Sequence, residues 1–306
     1  MSVLASIQSD PKLELYLARL EARLEEVVSS HPGILAEVAS ESLHAGGKRL
    51  RPVLTYLSAQ PDYRGQEVCV SAGVSVELIH MATLIHDDML DGADMRRGQP
   101  TIWVSHGREV AKAAGDYLFS RAFAELAEKG TLDEICVLAD AALALARGEA
   151  LQRRQAFRAD IHVDDYLCRA GLKTGKLFEA ACRLGGGTSR MGEFGFSLGI
   201  AFQIADDILD CTGEFDTTGK ATGVDLRDGT PTLPLILAAR VDKAVGRALA
   251  GEDVPDALYR VACSGALDEA RRVACSYAES ARTALEGIND SDSLRALTYA
   301  VVDREM

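Results

Sequence analysis

Two clusters of carboxylates, His86-Asp87-Asp88-Met89-Leu90-Asp91 and Gln203-Ile204-Ala205-Asp206-Asp207-Ile208-Leu209-Asp210, are the residues of this chain best placed to do chemistry. Within each, acids stand three or four positions apart, the spacing that puts side chains on one face of a helix. Both clusters adjoin apolar stretches, where an unpaired carboxylate is costly to bury. Hard carboxylate oxygens carried on two helices suit Mg²⁺, which shares its shell between protein and phosphate oxygens. Such a clamp implies a phosphate-bearing substrate. Either cluster alone reads as an ordinary solvated acidic face, so the neighbouring residues decide.

Those neighbours are basic. Arg96 and Arg97 follow the first cluster within Asp94-Met95-Arg96-Arg97-Gly98-Gln99-Pro100-Thr101. Upstream, Gly46-Gly47-Lys48-Arg49-Leu50-Arg51-Pro52 is a basic turn whose glycines let backbone approach an anion. Acids for metal, with Arg and Lys for phosphate oxygens, form the two sides of a diphosphate site. On a helix expected from about Val70 to Asp91, residues His80, Leu84, Asp87 and Asp91 share a face. At about 1.5 Å per residue, His80 lies roughly 10 Å from Asp87 along the axis. Asp88 points about 100° away from Asp87 and reads as a supporting residue. In the second cluster Gln203 shares a face with Asp206, Asp207 and Asp210.

The elements that must carry these groups read as helices. Ser9-Asp10-Pro11 supplies a cap and a first-turn proline. Leu13, Leu17, Leu20, Leu24 and Val27 then recur at the spacing of a buried helical face. Positions 101 to 230 hold no proline, which leaves room for long helices. Asp164-Asp165 reads as the capped start of a helix leading to Lys173, and the glycines around 185–187 and 212–223 read as loops. The expectation is one all-α domain over 1–306, with no internal repeat and no strand.

A formal charge of −13 argues against a nucleic-acid partner. Seven dispersed cysteines without a CxxC pair indicate neither a disulfide framework nor zinc, and point to a reducing cytoplasm. The first residues lack the pattern of a signal peptide, and no apolar run reaches the roughly 18 residues expected of a membrane span.

Five ordered motifs then carry a resemblance. They are GGKRLRP, DDMLD with DMRRGQPT, Lys173-Thr174-Gly175, FQIADDILD from Phe202 to Asp210, and Gly219-Lys220 with Gly223-Val224-Asp225-Leu226. From about Gly46 to about Pro234 the chain resembles the trans-isoprenyl diphosphate synthases, or polyprenyl synthetases. The resemblance implies a large helical bundle of the isoprenoid synthase type, with its active-site cavity between helices. It implies head-to-tail condensation of isopentenyl diphosphate with an allylic diphosphate. Several Mg²⁺ ions would be held by Asp87, Asp91, Asp206, Asp207 and Asp210. Lys48, Arg51, His80 and Arg97 would bind isopentenyl diphosphate. Arg96, Lys173, Thr174, Gln203 and Lys220 would meet the allylic substrate. Catalysis would rest on Asp87, Asp91, Asp206, Lys173 and Arg96. A homodimer, with transient membrane contact during product release, is implied as well.

Chain length is expected to depend on Met81, Ala82 and Thr83, one turn before Asp87. None is aromatic, so the groove is expected to be open. The stretch ELIHMATLIHDDMLDGADMRRGQPTI most resembles long-chain bacterial enzymes, and the expected product is hexaprenyl to octaprenyl diphosphate. Short-chain members commonly have a lysine where this chain has Thr230. The alternative product is geranylgeranyl or farnesyl diphosphate. A class I terpene cyclase would not need the GGKRLRP turn, and a non-catalytic subunit of a heteromeric synthase would have lost acid motifs.

Overall fold

In the computed structural model, which describes residues 2–212 and 223–303, the regular structure is helical except for one short hairpin. The chain divides into two compact units, Met1–Ala142 with Ala180–Gly192, and Leu143–Glu179 with Glu193–Met306.

The first unit contains α1 (Val3–Gln8), α2 (Pro11–Ser29), α3 (Ile34–His44), α4 (Leu50–Ser58), α5 (Glu67–Asp91), α6 (Ile102–His106), α7 (Arg108–Lys129) and the start of α8 (Leu132–Gln155). Asp10 caps α2 as its sequence predicts, accepting the N–H groups of Lys12 and Leu13 at 3.0 and 3.1 Å. Leu13, Leu20, Leu24 and Val27 of that helix are buried. At the centre lies α5, buried on nearly every side from Cys69 to Ala82. By length and composition α5 could cross a membrane, contrary to the sequence expectation, yet 78% of that window is buried inside the protein. It is a core helix. Its neighbours come very close: a Cβ at Gly73 would collide with the Tyr16 hydroxyl, and one at Gly115 of α7 with the His86 ring. His86 is therefore a packing residue of the α5–α7 seam, stacked on Phe119.

Just after α5, Met95–Arg96 (β1) pairs antiparallel with Gln99–Pro100 (β2). Arg97 and Gly98 form the two-residue turn with φ of 51° and 76°, the left-handed pair that matches strand twist. The expectation of helix and no strand missed this hairpin, because strands of two residues show no alternation to read.

The second unit contains the rest of α8, α9 (Val163–Ala170), a π-helical turn (Gly171–Gly175), the start of α10 (Lys176–Arg183) and most of α11 (Ser189–Thr212). Then follow α12 (Val224–Arg227), α13 (Leu233–Val241), α14 (Lys243–Leu249), α15 (Ala257–Cys263), α16 (Ala266–Ala284) and α17 (Asp292–Asp303). Ile200, Ile204 and Ile208 form the buried face of α11, while α13 buries Leu233 through Ala238. Along α16 the buried stripe is alanine at 266, 270, 274, 278 and 281, which lets helices approach closely. Gly199 of α11 sits so near Gly175 that an added Cβ would lie 2.9 Å from its Cα. The second acid motif is thereby pressed against the turn that carries Lys173 and Thr174.

Candidate active site

The first acid motif occupies the last turn of α5, where the negative end of the helix dipole favours a cation. Asp87 is half-buried and Asp91 exposed, on the shared face their spacing predicts. Asp88 is buried and committed to Arg96, whose Nε donates to its two oxygens at 2.8 and 2.7 Å and whose Nη2 donates at 2.6 Å. This fork-on-carboxylate pair orients Arg96.

The hairpin and the basic turn then close on a cavity of about 480 Å³, lined by Arg49, Glu77, His80, Met81, Arg96 and Arg97 among others. Gly47 lets the guanidinium groups in: a Cβ there would stand 2.9 Å from Arg49 Nη1 and 3.3 Å from Arg97 Nη1. Arg49, like Arg97, has φ near +51°. Its Nε donates to Glu21 at 2.6 Å and its Nη1 to Glu77 at 3.1 Å. Burial pushes the Glu77 carboxyl up, against the pull of Arg49 and Arg51. Burial, then Arg51, Arg97, Arg96 and Arg49, holds His80 well below its ordinary value, so its imidazole is neutral. Lys48 is exposed, and its carbonyl accepts from Gln8 Nε2 at 2.9 Å. Met81 lines the cavity; Ala82 is fully buried and Thr83 half-buried, its hydroxyl donating to the His80 carbonyl at 2.7 Å.

In the second unit a hydrogen-bonded chain joins the Lys-Thr turn to the other acid motif. Thr174 Oγ1 donates to Gln203 Oε1 at 2.6 Å, and Gln203 Nε2 donates to Asp207 Oδ1 at 2.8 Å. The Tyr166 hydroxyl donates to Asp207 Oδ2 at 2.6 Å. Burial pushes the Asp207 carboxyl up to about 7, although both hydrogen bonds pull it down. Lys173 Nζ donates to Glu149 Oε2 at 2.7 Å and to Gln152 Oε1 at 3.3 Å. Single π turns such as 171–175 recur at functional sites, because the extra residue re-aims its side chains. Asp206 is half-buried. Asp210 receives the backbone N–H groups of Val224 and Asp225 on its carboxylate at 3.2 and 3.0 Å. Lys220 lies outside the described residues.

Among the described residues no three His, Cys, Asp or Glu side chains converge into a ready-made metal cage. The donor set still fits Mg²⁺. That ion is commonly held by one or two carboxylates with substrate phosphates completing the shell; Asp87 with Asp91 in the first unit is one such pair, and Asp206 with Asp210 in the second is another. Asp207 and Asp210 accept hydrogen bonds from protein donors, which orient their carboxylates and leave each oxygen a second lone pair.

Four partners here were not singled out from the sequence: Arg49, Glu77, Glu149 and Tyr166. Glu77 did leave a signal, as the one acid within the apolar run VSVELIHMATLI. Glu149 and Tyr166 left none, since nothing local distinguishes them from ordinary helix residues.

The polyprenyl synthetase family pattern matches residues 32–254. Heptaprenyl diphosphate synthase component 2 of Geobacillus stearothermophilus is 38% identical over 87% of this chain and 86% of its own length. Nonaprenyl diphosphate synthase of Mycobacterium tuberculosis is 38% identical over 92% of this chain and 90% of its own. The solved polyprenyl synthase of Caulobacter crescentus, complexed with calcium and isoprenyl diphosphate, superposes with a TM-score of 0.87 at 32% identity, covering 99% of this chain and 98% of that one.

Proposed function

The chain belongs to the polyprenyl synthetase family, and on that premise we propose that it condenses isopentenyl diphosphate head to tail with an allylic diphosphate, in a Mg²⁺-dependent reaction giving a long-chain all-trans polyprenyl diphosphate. The observation that carries the reading is the cavity at which Arg49, His80, Arg96 and Arg97 gather on the helix ending in Asp87 and Asp91. A terpene cyclase, with one diphosphate to bind, has no use for this second cationic site.

When bound, Mg²⁺ supplies the charge neutralisation that makes diphosphate a competent leaving group. Asp87, Asp91, Asp206, Asp207 and Asp210 are the residues that would hold it. Lys173, Arg96 and Thr174 grip the allylic diphosphate and stabilise the negative charge that grows as the allylic C–O bond breaks. Lys48, Arg51 and Arg97 hold isopentenyl diphosphate. His80, kept neutral by its burial among arginines, offers a hydrogen bond without adding a further positive charge. The isopentenyl double bond attacks the allylic carbon, and the proton lost from the new chain passes to the departing diphosphate. No side-chain base is required.

The small residues Ala82 and Thr83 and the long-chain products named for the relatives support a hexaprenyl-to-octaprenyl product. The family pattern spans parts of both compact units, which supports a single working domain. A homodimer in a reducing cytoplasm completes the proposal. Incubating pure protein with labelled isopentenyl diphosphate, Mg²⁺ and primers of increasing length, then sizing the products, tests it. Absence of elongation from every primer would overturn the reading.

A further inference from the structure

Phe157, directly after α8, has φ of +59°, in a region that bulky residues rarely adopt. The residue is 50% exposed, so core burial does not account for the conformation. The contacts it makes do. Its backbone N–H donates to the Gly229 carbonyl at 2.8 Å. The ring covers Gly229, where any Cβ would collide with it, and reaches Gly251, where a Cβ would stand 3.3 Å away.

Gly229 closes a short segment whose other end belongs to the second acid motif. The Gly223 N–H donates to the Asp210 carbonyl at 2.8 Å, and the next two amides donate to the Asp210 carboxylate. Within the segment, the Thr230 N–H donates to the Asp225 carbonyl at 2.8 Å. A second strap runs parallel: buried Arg169 donates to Gln155 Oε1 at 2.7 Å and to the Pro231 carbonyl at 2.8 Å. The end of α8 is thus tied twice to 229–231, and the start of the same segment holds Asp210.

We infer that Phe157 is a positioning residue for the second acid motif, clamping the 223–231 segment so that its amides fix the Asp210 carboxylate for metal diphosphate. The inference rests on the function proposed above. Because Phe157 acts on Asp210 through Gly229 and the amides of its segment, its effect falls on metal diphosphate and spares the other substrate.

Two variants test this. Phe157→Gly removes the ring and relieves the left-handed backbone, and Phe157→Asn removes the ring with a residue that tolerates that backbone. Both are titrated with Mg²⁺ in the presence of inorganic pyrophosphate by calorimetry. The expected result is a loss of about tenfold in apparent Mg²⁺ affinity, the scale of losing a group that orients a metal ligand. KM for isopentenyl diphosphate should stay at the wild-type value, and Phe157→Tyr should restore metal binding. Gly229→Ala should cost less in a Phe157→Gly background than in wild type, since the ring it strikes is gone. Wild-type metal affinity in both ring-less variants would overturn the inference alone, as would an equal rise in both substrates' KM. A wild-type protein with no affinity for magnesium pyrophosphate and no prenyl transfer would overturn the functional reading and this inference together.

Discussion

Deleting one oxygen, in Tyr166→Phe, isolates the electrostatics of the second site. Tyr166 is 1% exposed and Asp207 3%, so no water can replace the lost donor. Burial, then Asp207 itself, pushes the Tyr166 hydroxyl well above its ordinary value, so it remains a donor across the working range. A hydrogen bond to a charged group contributes about 1.5–3 kcal/mol. With an unfolding entropy of roughly 0.6 kcal/mol/K for 306 residues, that loss lowers Tm by about 2–5 °C. The sign of the pH dependence follows from Asp207, whose folded pKa of about 7 lies above the ordinary 3.8. Its protonated form contributes stability that is present at low pH and fades as pH rises toward 7. Losing the tyrosine donor raises the folded pKa further, by about one to two units at 1.36 kcal/mol each. The fade then continues to higher pH in the variant. Scanning calorimetry at pH 6 and pH 8 should therefore show a small deficit at pH 6, under about 2 °C for a neutral hydrogen bond, and a clearly larger one at pH 8, the full deficit being reached only above the variant's raised pKa. At pH 8 the allylic KM should also rise severalfold, because Asp207 anchors Gln203 and Gln203 anchors Thr174. Equal deficits at the two pH values, or none, would refute the reasoning.

Three further outcomes are expected. Asp87→Ala and Asp206→Ala should each lower turnover by about three orders of magnitude or more, the scale of losing transition-state charge stabilisation; full activity in excess chelator would contradict the metal assignment. Lys48→Ala and His80→Ala should raise KM for isopentenyl diphosphate more than for the primer, and Lys173→Ala the reverse, as initial-rate titration of each substrate would reveal. Thr83→Phe should shorten the product to the farnesyl or geranylgeranyl range, read by chromatography of dephosphorylated products. Ala82→Phe should do so at a loss of about 1–3 kcal/mol in stability, since Ala82 is fully buried.

The sequence makes the helices legible because their signals are local: Asp10 with Pro11 starts α2, and the acid spacing sets the face of α5. The motifs are legible for the same reason, each being a contiguous run. What stays hidden is pairing across distance. Arg49 meets Glu77 over 28 positions, Lys173 meets Glu149 over 24, and Tyr166 meets Asp207 over 41. No periodicity announces such partners, and each changes the reading of a motif residue. Asp207 looks like an open metal ligand in the sequence, yet a buried tyrosine and a glutamine each donate to one of its oxygens. The π turn is equally silent, since one extra residue in a helix leaves composition untouched.

Arg49 and Arg97 both hold a left-handed backbone beside the same cavity. For residues with a Cβ that geometry is unfavourable by about 1–2 kcal/mol each. At the Arg97-Gly98 turn, asparagine is the residue local physics prefers. At Arg49 the pairs with Glu21 and buried Glu77 outweigh that cost, so a laboratory search for heat-resistant variants would be drawn to Arg97, and would find stabilising replacements there. Each gain would remove a guanidinium from the cavity. Thermal selection without a parallel assay for prenyl transfer would thus enrich proteins that melt later and bind substrate worse, and sequences drifting free of catalytic duty should lose Arg97 before Arg49.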